Sequence, residues 1–539
     1  MTRDDRAARM FDGLLREGRL SRRALLRAAA ALAAAPIAAT RLARAQAPAL
    51  FDAHPFTLGV ASGHPLPDGV SLWTRLAPKP LQADGGLDPD LHIPVQWQVA
   101  EDERFARVVN EGTATAHSEL AYSVHVDVGG LAPGRWYHYR FMSGDEVSPV
   151  GRTRTADAAG AAGAAVSRLR FAVASCQHYE QGYYAAWRHA AREDLDLVCF
   201  VGDYIYEGSW GANKVRRFAP THDARTLADY RLRHAQGKTD RHLQGIHAAV
   251  PFLLTWDDHE VDNDYAGDQQ EYLDPRFLER RAAGYQAYFE HMPLPWRMRP
   301  RTDGSMPIAT HLDYGTLARF VVVDDRQYRT PMACQKPGQG GSADIGLDCA
   351  ELRDPDRTLL GEAQARWLDA RLAETKARWN VLVQQSVFMP MDNLPGPGRG
   401  VWSDAWDGYP ASRQRVLDAW RRHAVRNPVT VGGDIHATVV GGVPGDPERL
   451  DSAPVASEFC ATSISSEGRP QAYWDAKRAD NPQVLLANSD RRGYLTLELD
   501  ARRLTARARG LVDVLREDSP LTTFATFVVE DGKPGPQRA

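Results

Sequence analysis

Thr255-Trp-Asp-Asp-His-Glu-Val-Asp-Asn-Asp264 follows directly on the apolar run Val250 to Leu254. Within nine residues it sets five carboxylates, one histidine and one asparagine. Carboxylates this close repel one another and resist joint ionisation unless cations lie between them. Oxygen donors in such number suit hard metal ions. An acidic run standing alone is ordinarily a solvated loop. This one is not alone. Three further apolar runs end in a small residue followed by a ligand type: Phe171-Ala-Val-Ala-Ser-Cys176, Leu197-Val-Cys-Phe-Val-Gly-Asp203, and Pro428-Val-Thr-Val-Gly-Gly-Asp434-Ile-His436. In open α/β sheets ligands bind beyond the carboxyl ends of the strands. Four such strands would bring their tips to one point.

The surrounding pattern supports that geometry. From 159 to 539 strand-like runs are predicted at 168–176, 195–203, 250–256, 317–324, 380–388, 428–434, 455–464 and 493–499. They alternate with helical periodicity at 183–193, 225–248, 275–290, 361–376 and 412–425, the signature of an α/β domain. Residues 46–158 read differently. Short alternating runs such as Val70-Ser-Leu-Trp-Thr-Arg75 and Trp136-Tyr-His-Tyr-Arg-Phe141, separated by turn signals, predict an all-β sandwich. Leu131-Ala-Pro-Gly-Arg-Trp-Tyr-His-Tyr-Arg140 resembles the corner of an immunoglobulin- or fibronectin-like domain. An Ala/Gly-rich linker at 156–166 joins the two parts, and the Gly-rich stretch 330–355 is the candidate lid. At 539 residues, more than one domain is expected.

Residues 1–45 carry an address. A charged segment leads to Ser21-Arg-Arg-Ala-Leu-Leu-Arg27, an Ala-rich run and Ala43-Arg-Ala45, which reads as a twin-arginine export signal with its cleavage site. The run is too short and too weakly apolar for a good membrane span. The expectation is a periplasmic or secreted protein that meets the twin-arginine translocation machinery and keeps no stable membrane anchor after signal removal. The segment holds ten Lys/Arg against four Asp/Glu, a net +6 in a chain of net −4, so the mature part carries −10. That acidity argues against nucleic acid as a bulk partner. Of five cysteines, Cys334 and Cys349 lie in a loop-like stretch and form a plausible bridge in an oxidising compartment. Cys199 and Cys460 read as core, and Cys176 as a ligand.

The residue types also suggest a chemistry. Asp203 and Tyr206, at i and i+3, would share one face if a helical turn begins there. A phenolate is a good ligand for ferric iron, and a thiolate at Cys176 would donate to the same ion. One carboxylate of Asp257-Asp-His-Glu260 would ligate, while His259 would serve a phosphate oxygen or a proton. Asp434 and His436 would project toward the same ions, the two preceding glycines permitting close backbone approach. Tyr204 and Glu207 read as packing and support. There is no G-x-S-x-G elbow, P-loop or dinucleotide fingerprint.

Taken in order, Phe56-Thr-Leu-Gly-Val-Ala-Ser-Gly63, Val173-Ala-Ser-Cys176, Gly202-Asp-Tyr-Ile-Tyr-Glu207, Thr255-Trp-Asp-Asp-His-Glu260, Asp325-Arg-Gln-Tyr-Arg329, Trp406-Asp-Gly-Tyr-Pro410 and Gly432-Gly-Asp-Ile-His436 closely resemble the PhoD-type alkaline phosphatases/phosphodiesterases. The resemblance implies an immunoglobulin-like sandwich followed by a calcineurin-like, four-layer αββα core. It implies a site of Fe3+ and Ca2+. Carried onto this chain, the iron ligands would be Cys176, Asp203 and Tyr206 with Asp434 and His436 near them. Asp258 and Asn263 would serve calcium, with Asp257 and Asp264 as neighbours. Asp258 and His259 would be the catalytic pair. His64 and Asp264 stand where the family patterns have Asp and Asn. The expected activity is hydrolysis of phosphomonoesters and phosphodiesters by a metal-bound hydroxide or oxide. The rival readings are a phospholipase D-like diesterase and a non-catalytic cell-surface binding protein with structural metals.

Overall fold

The computed structural model describes residues 50–159 and 167–539. The export signal and most of the Ala/Gly-rich linker lie outside them. Residues 53–539 form one compact unit. Its centre is a ten-stranded sheet packed on a seven-stranded one.

In the first sheet Arg168–Ala174, Leu197–Val201 and Phe252–Thr255 run parallel and adjacent. In the second, Ala318–Val322, Trp379–Val383, Pro428–Gly432 and Pro454–Cys460 do the same. These strands are mostly apolar on both faces because both faces are covered. Alternate residues Phe171, Val173, Cys199, Val201 and Leu253 point between the sheets, against Phe320, Val322, Val381, Val429 and Phe459. The intervening residues Ala172, Val198, Phe200 and Leu254 meet Trp187, Tyr230, Ile246 and Tyr285 of the helices outside the first sheet. On the far side Val321, Leu382 and Val439 meet Leu368, Leu372, Val416 and Leu417 of Gly361–Glu374 and Pro410–Arg422. The layers are therefore helix, sheet, sheet, helix.

Two expectations change. The helix expected over 225–248 is two, Leu227–Lys238 and Arg241–Ala249. Asp240 separates them: its carboxylate accepts from the N–H groups of His242 and Leu243 and caps the second helix. The N-terminal strands do not stand apart as a closed sandwich. His92–Ala100, Val108–His117 and Trp136–Ser143 form a separate small sheet. Val60–Leu66, Gly69–Arg75 and Ser123–Val128 instead extend the ten-stranded sheet, through parallel pairing of Val60–Leu66 with Phe252–Thr255. The other edge is built by the antiparallel strands Gly493–Asp500, Arg503–Leu511, Leu521–Glu530 and Lys533–Arg538.

The stretch 330–355 is tied down. A disulfide joins Cys334 to Cys349, and Asp344–Gly346 pairs with Gly400–Trp402. Closing a loop of this size contributes about 3 kcal/mol in the chain-entropy account. Among the described residues no helix is long and apolar enough to cross a membrane.

A candidate metal centre at the strand ends

The carboxyl ends of the two sheets meet. Ser175, one residue past its strand, forms a parallel bridge with Ser463, three residues past Pro454–Cys460 of the second sheet. The approach is close enough to require glycine. A Cβ on Gly433 would fall 2.3 Å from Ser175 Oγ, and one on Gly202 2.3 Å from Asp257 Cβ. Gly202 also has φ +107, which L side chains rarely adopt.

Just past these strands the backbone turns left-handed at the ligand types themselves. Cys176 has φ 57°, Asp203 57°, Asp434 66° and His436 54°. Non-glycine residues pay roughly 1–3 kcal/mol for such conformations and keep them where the surroundings over-determine them, often at functional sites. The turn at Asp203 is not helical, contrary to the expectation from the i, i+3 spacing. The two side chains meet nonetheless: the Tyr206 hydroxyl donates to Asp203 Oδ2 at 2.8 Å.

Around that pair, His436 Nε2 lies 3.0 Å from the Tyr206 hydroxyl, and Ser466 Oγ donates to it at 2.8 Å. His436 Nδ1 faces the Glu467 carbonyl at 2.5 Å, which fixes the ring and leaves Nε2 toward the cluster. Cys176 Sγ, an Asp203 oxygen and a His436 nitrogen all lie within 4.8 Å of one another. A second group shares Asp203 and adds Asp258 and His259 within the same limit. The two candidate ligand groups thus have one carboxylate in common.

The electrostatics agree with that reading. Burial, and then the charge of Asp203, push both the Cys176 thiol and the Tyr206 phenol well above their usual ranges. Asp257 is raised by burial despite Arg326, with Asp258, Asp434 and Asp203 adding to the shift. Asp434 is raised by burial and then by Asp404. Without cations these groups oppose one another's ionisation. Asp203 Oδ1 and Asp257 Oδ2 are buried and have no hydrogen-bond partner. Free carboxylate lone pairs beside a thiol, a phenol and an imidazole form a donor set that fits metal ions.

Asp258 is held below its usual range, against the effect of burial, by Arg326 and His259. Its Oδ2 accepts the Asp264 N–H at 2.7 Å. His259 Nδ1 meets Glu207 Oε2 at 2.7 Å. Burial works against its charge, but Glu207, then Asp258 and Asp203, hold it well above the ordinary imidazole range. Glu207 Oε1 also takes the Asn263 backbone N–H at 2.9 Å, which fixes that residue's backbone beside the cluster. Asp264, φ 55°, directs its carboxylate to the Ser342 N–H at 3.1 Å and its hydroxyl, tying the 330–355 segment to the site. His64 pairs with Arg297 at 2.5 Å.

Several participants were not assigned from sequence. Arg326 pairs with Asp257 and Asp404 from within the cluster. In Asp325-Arg-Gln-Tyr-Arg329 the Arg326 guanidinium is the counter-charge. Glu260 serves the backbone. It accepts the N–H groups of Asp203 at 3.1 Å, Tyr204 at 2.5 Å and Asp257 at 2.8 Å, and so locks two strand ends together. Tyr204 is core, its hydroxyl 2.7 Å from His247 Nε2. Trp210 stacks on His436, and no periodic signal marks a lone indole in a loop.

Comparison with known proteins matches the same regions. The PhoD-like phosphatase family model covers residues 171–508, and that of the PhoD-like phosphatase N-terminal domain covers 41–157. Alkaline phosphatase D of Bacillus subtilis (strain 168) is 43% identical over 500 residues, 90% of this chain and 82% of that protein. A solved structure described as that of PhoD superposes with a TM-score of 0.85 at 41% identity, covering 91% of this chain and 93% of its own.

Proposed function

The chain belongs to the PhoD-like phosphatase family and is a phosphoric ester hydrolase, and from that premise we propose that it is an exported, metal-dependent enzyme acting on phosphomonoesters and phosphodiesters. The observation that carries the proposal is the pair of ligand groups sharing Asp203, Cys176–Asp203–His436 and Asp203–Asp258–His259. We read the first, with Tyr206 and Asp434, as the Fe3+ position. We read the second, with Asp258, Asn263 and the neighbouring Asp257, as the Ca2+ position. The helix–sheet–sheet–helix core supports a calcineurin-like assignment, and the pattern of residues 1–45 supports a twin-arginine route to the periplasm or beyond.

When bound, the ions supply Lewis-acid charge that offsets the phosphoryl oxygens and acidifies water. The protein's own contribution is preorganisation. Glu260 holds the ends of two strands in register through three N–H groups. Tyr206 and Cys176 bring anionic donors that only a strongly charged cation would ionise in so buried a place. His259, kept cationic by Glu207, offers a proton or a hydrogen bond at the edge of the carboxylate cluster.

Turnover of a chromogenic phosphomonoester, a phosphodiester and a phospholipid, compared before and after chelation, tests the reading. The expected result is hydrolysis of the first two, lost on chelation and restored by iron with calcium. Full activity of a protein containing zinc alone would overturn the metal assignment.

A further inference from the structure

The centre has two unlike walls. One is built of carboxylates at the strand ends. The other is aromatic: Tyr206, His178, Trp210 and His436 lie ring to ring. His178 is 4.6 Å from Tyr206 and 5.4 Å from Trp210, centroid to centroid. Trp210 stacks on His436 with centroids 5.7 Å apart and planes 2° from parallel. Tyr206 and His178 are buried, but Trp210 is 37% exposed.

The backbone that carries this exposed indole is firmly held. Gln181 Nε2 donates to the Trp210 carbonyl at 2.8 Å, and Lys214 Nζ to the same oxygen at 2.6 Å. Lys214 Nζ and Ser209 Oγ both donate to the buried Glu180, at 2.8 and 2.5 Å. Glu467 accepts the N–H groups of Ala212 and Asn213, and its carbonyl is the one that holds His436. The segment carrying Trp210 and the imidazole it covers thus share one anchor. A partly exposed aromatic ring that only filled space would not need clamps on both flanks. A rigid indole at the mouth of a site presents a large contact area at low entropic cost.

We propose that Trp210 is a specificity-determining residue whose indole forms the wall for the organic part of the ester, favouring planar or apolar leaving groups. This rests on the phosphoesterase reading and adds to it a preference among esters. The phosphoryl group faces the proposed cation positions between the two walls, and the carbon skeleton faces the exposed Trp210 ring.

The test compares kcat/KM of the holoenzyme, Trp210→Ala and Trp210→Phe on 4-nitrophenyl phosphate and on glycerol phosphate. Calorimetric binding of phenylphosphonate and methylphosphonate is measured alongside, which needs no turnover. In Trp210→Ala the preference for the aryl ester falls about tenfold, mainly through KM, and the phenyl-over-methyl binding ratio falls with it. Trp210→Phe recovers most of both ratios. Equal losses on both esters, with both ratios unchanged, would mean that Trp210 only orients His436 and would overturn the proposal, as would unchanged rates on both. Failure of the wild-type holoenzyme to hydrolyse either ester would instead count against the phosphoesterase reading.

Discussion

The guanidinium of Arg326 rests against the carboxylate of Asp257, both 1% exposed, although 69 residues separate them in the chain. Its Nη1 reaches Asp404 at 2.7 Å, and its Nη2 lies 3.7 Å from Asp258. A positive side chain therefore already sits among the carboxylates of the centre.

Replacing Arg326 by Gln leaves Asp257 without its charged partner. The expected loss of stability is about 3 kcal/mol, the lower end for a broken buried pair, because Arg329 still holds Asp404 at 2.7 Å. Urea unfolding of the metal-free variant measures it. Arg326→Lys recovers part of the loss, since an ammonium cannot reproduce the two-pronged contact. An unchanged midpoint for Arg326→Gln would refute the counter-charge role.

Cys176→Ser and Tyr206→Phe remove the thiol and the phenol from the proposed iron position. Both should lower turnover by more than about 100-fold, beyond the 10–100-fold usual for supporting residues, with circular dichroism unchanged. Tyr206→Phe should also abolish the visible absorption of a ferric phenolate. A Cys176→Ser protein with full iron content and rate would return Cys176 to the role of a buried core residue.

Glu207 sustains the charge on His259. If protonated His259 acts in turnover, activity falls as pH rises through its pKa. In Glu207→Gln that alkaline limb should move to lower pH, with a rate loss of about 10–100-fold. A limb that stays in place would separate His259 from the proton chemistry.

Metal-free protein should lose stability as pH rises. Burial lifts Asp325, Asp264 and Glu458 to about 7, and Glu260 to about 8. Each binds its proton more tightly folded than unfolded, so its contribution is full below about pH 4 and fades as pH climbs through 7 to 8. Thermal melts should therefore fall across that window. Metal-loaded protein should be flatter, since cations offset the ionised form at Asp264 and Glu260. Parallel melting curves with and without metal would contradict this account.

Arg22→Lys combined with Arg23→Lys should strand folded, active protein in the cytoplasm, because a receptor reads the arginine pair. Cell fractionation checks it. Efficient appearance of the double variant outside the inner membrane would refute the twin-arginine route.

The sequence carried the strand ends because each ligand type follows an apolar run that ends in a small residue, a local signal. Cys176, Asp203, Asp258, His259 and His436 could be named that way, and the two ligand groups bring them together. Arg326 and Asp404 could not be placed: their partners come from another sheet, and a charge within a loop looks solvated until the fold buries it. Composition could not tell Glu260 from the carboxylates around it; only the fold shows its oxygens taken up by backbone N–H groups. The N-terminal strands alternate as a sandwich should, but alternation does not say which sheet a strand joins. The break at Asp240 was legible in principle, as a capping residue inside a helical run.

On the proposed metal-centre reading, the left-handed backbone at Cys176, Asp203, Asp434 and His436 sets catalysis against durability. Glycine at any of these positions would relax the chain, and at the first three would also remove a group that competes for charge. A laboratory selection for heat resistance alone would be drawn to these codons first, and its most robust survivors would be inactive. Only a screen that demands turnover in every round would keep the centre intact.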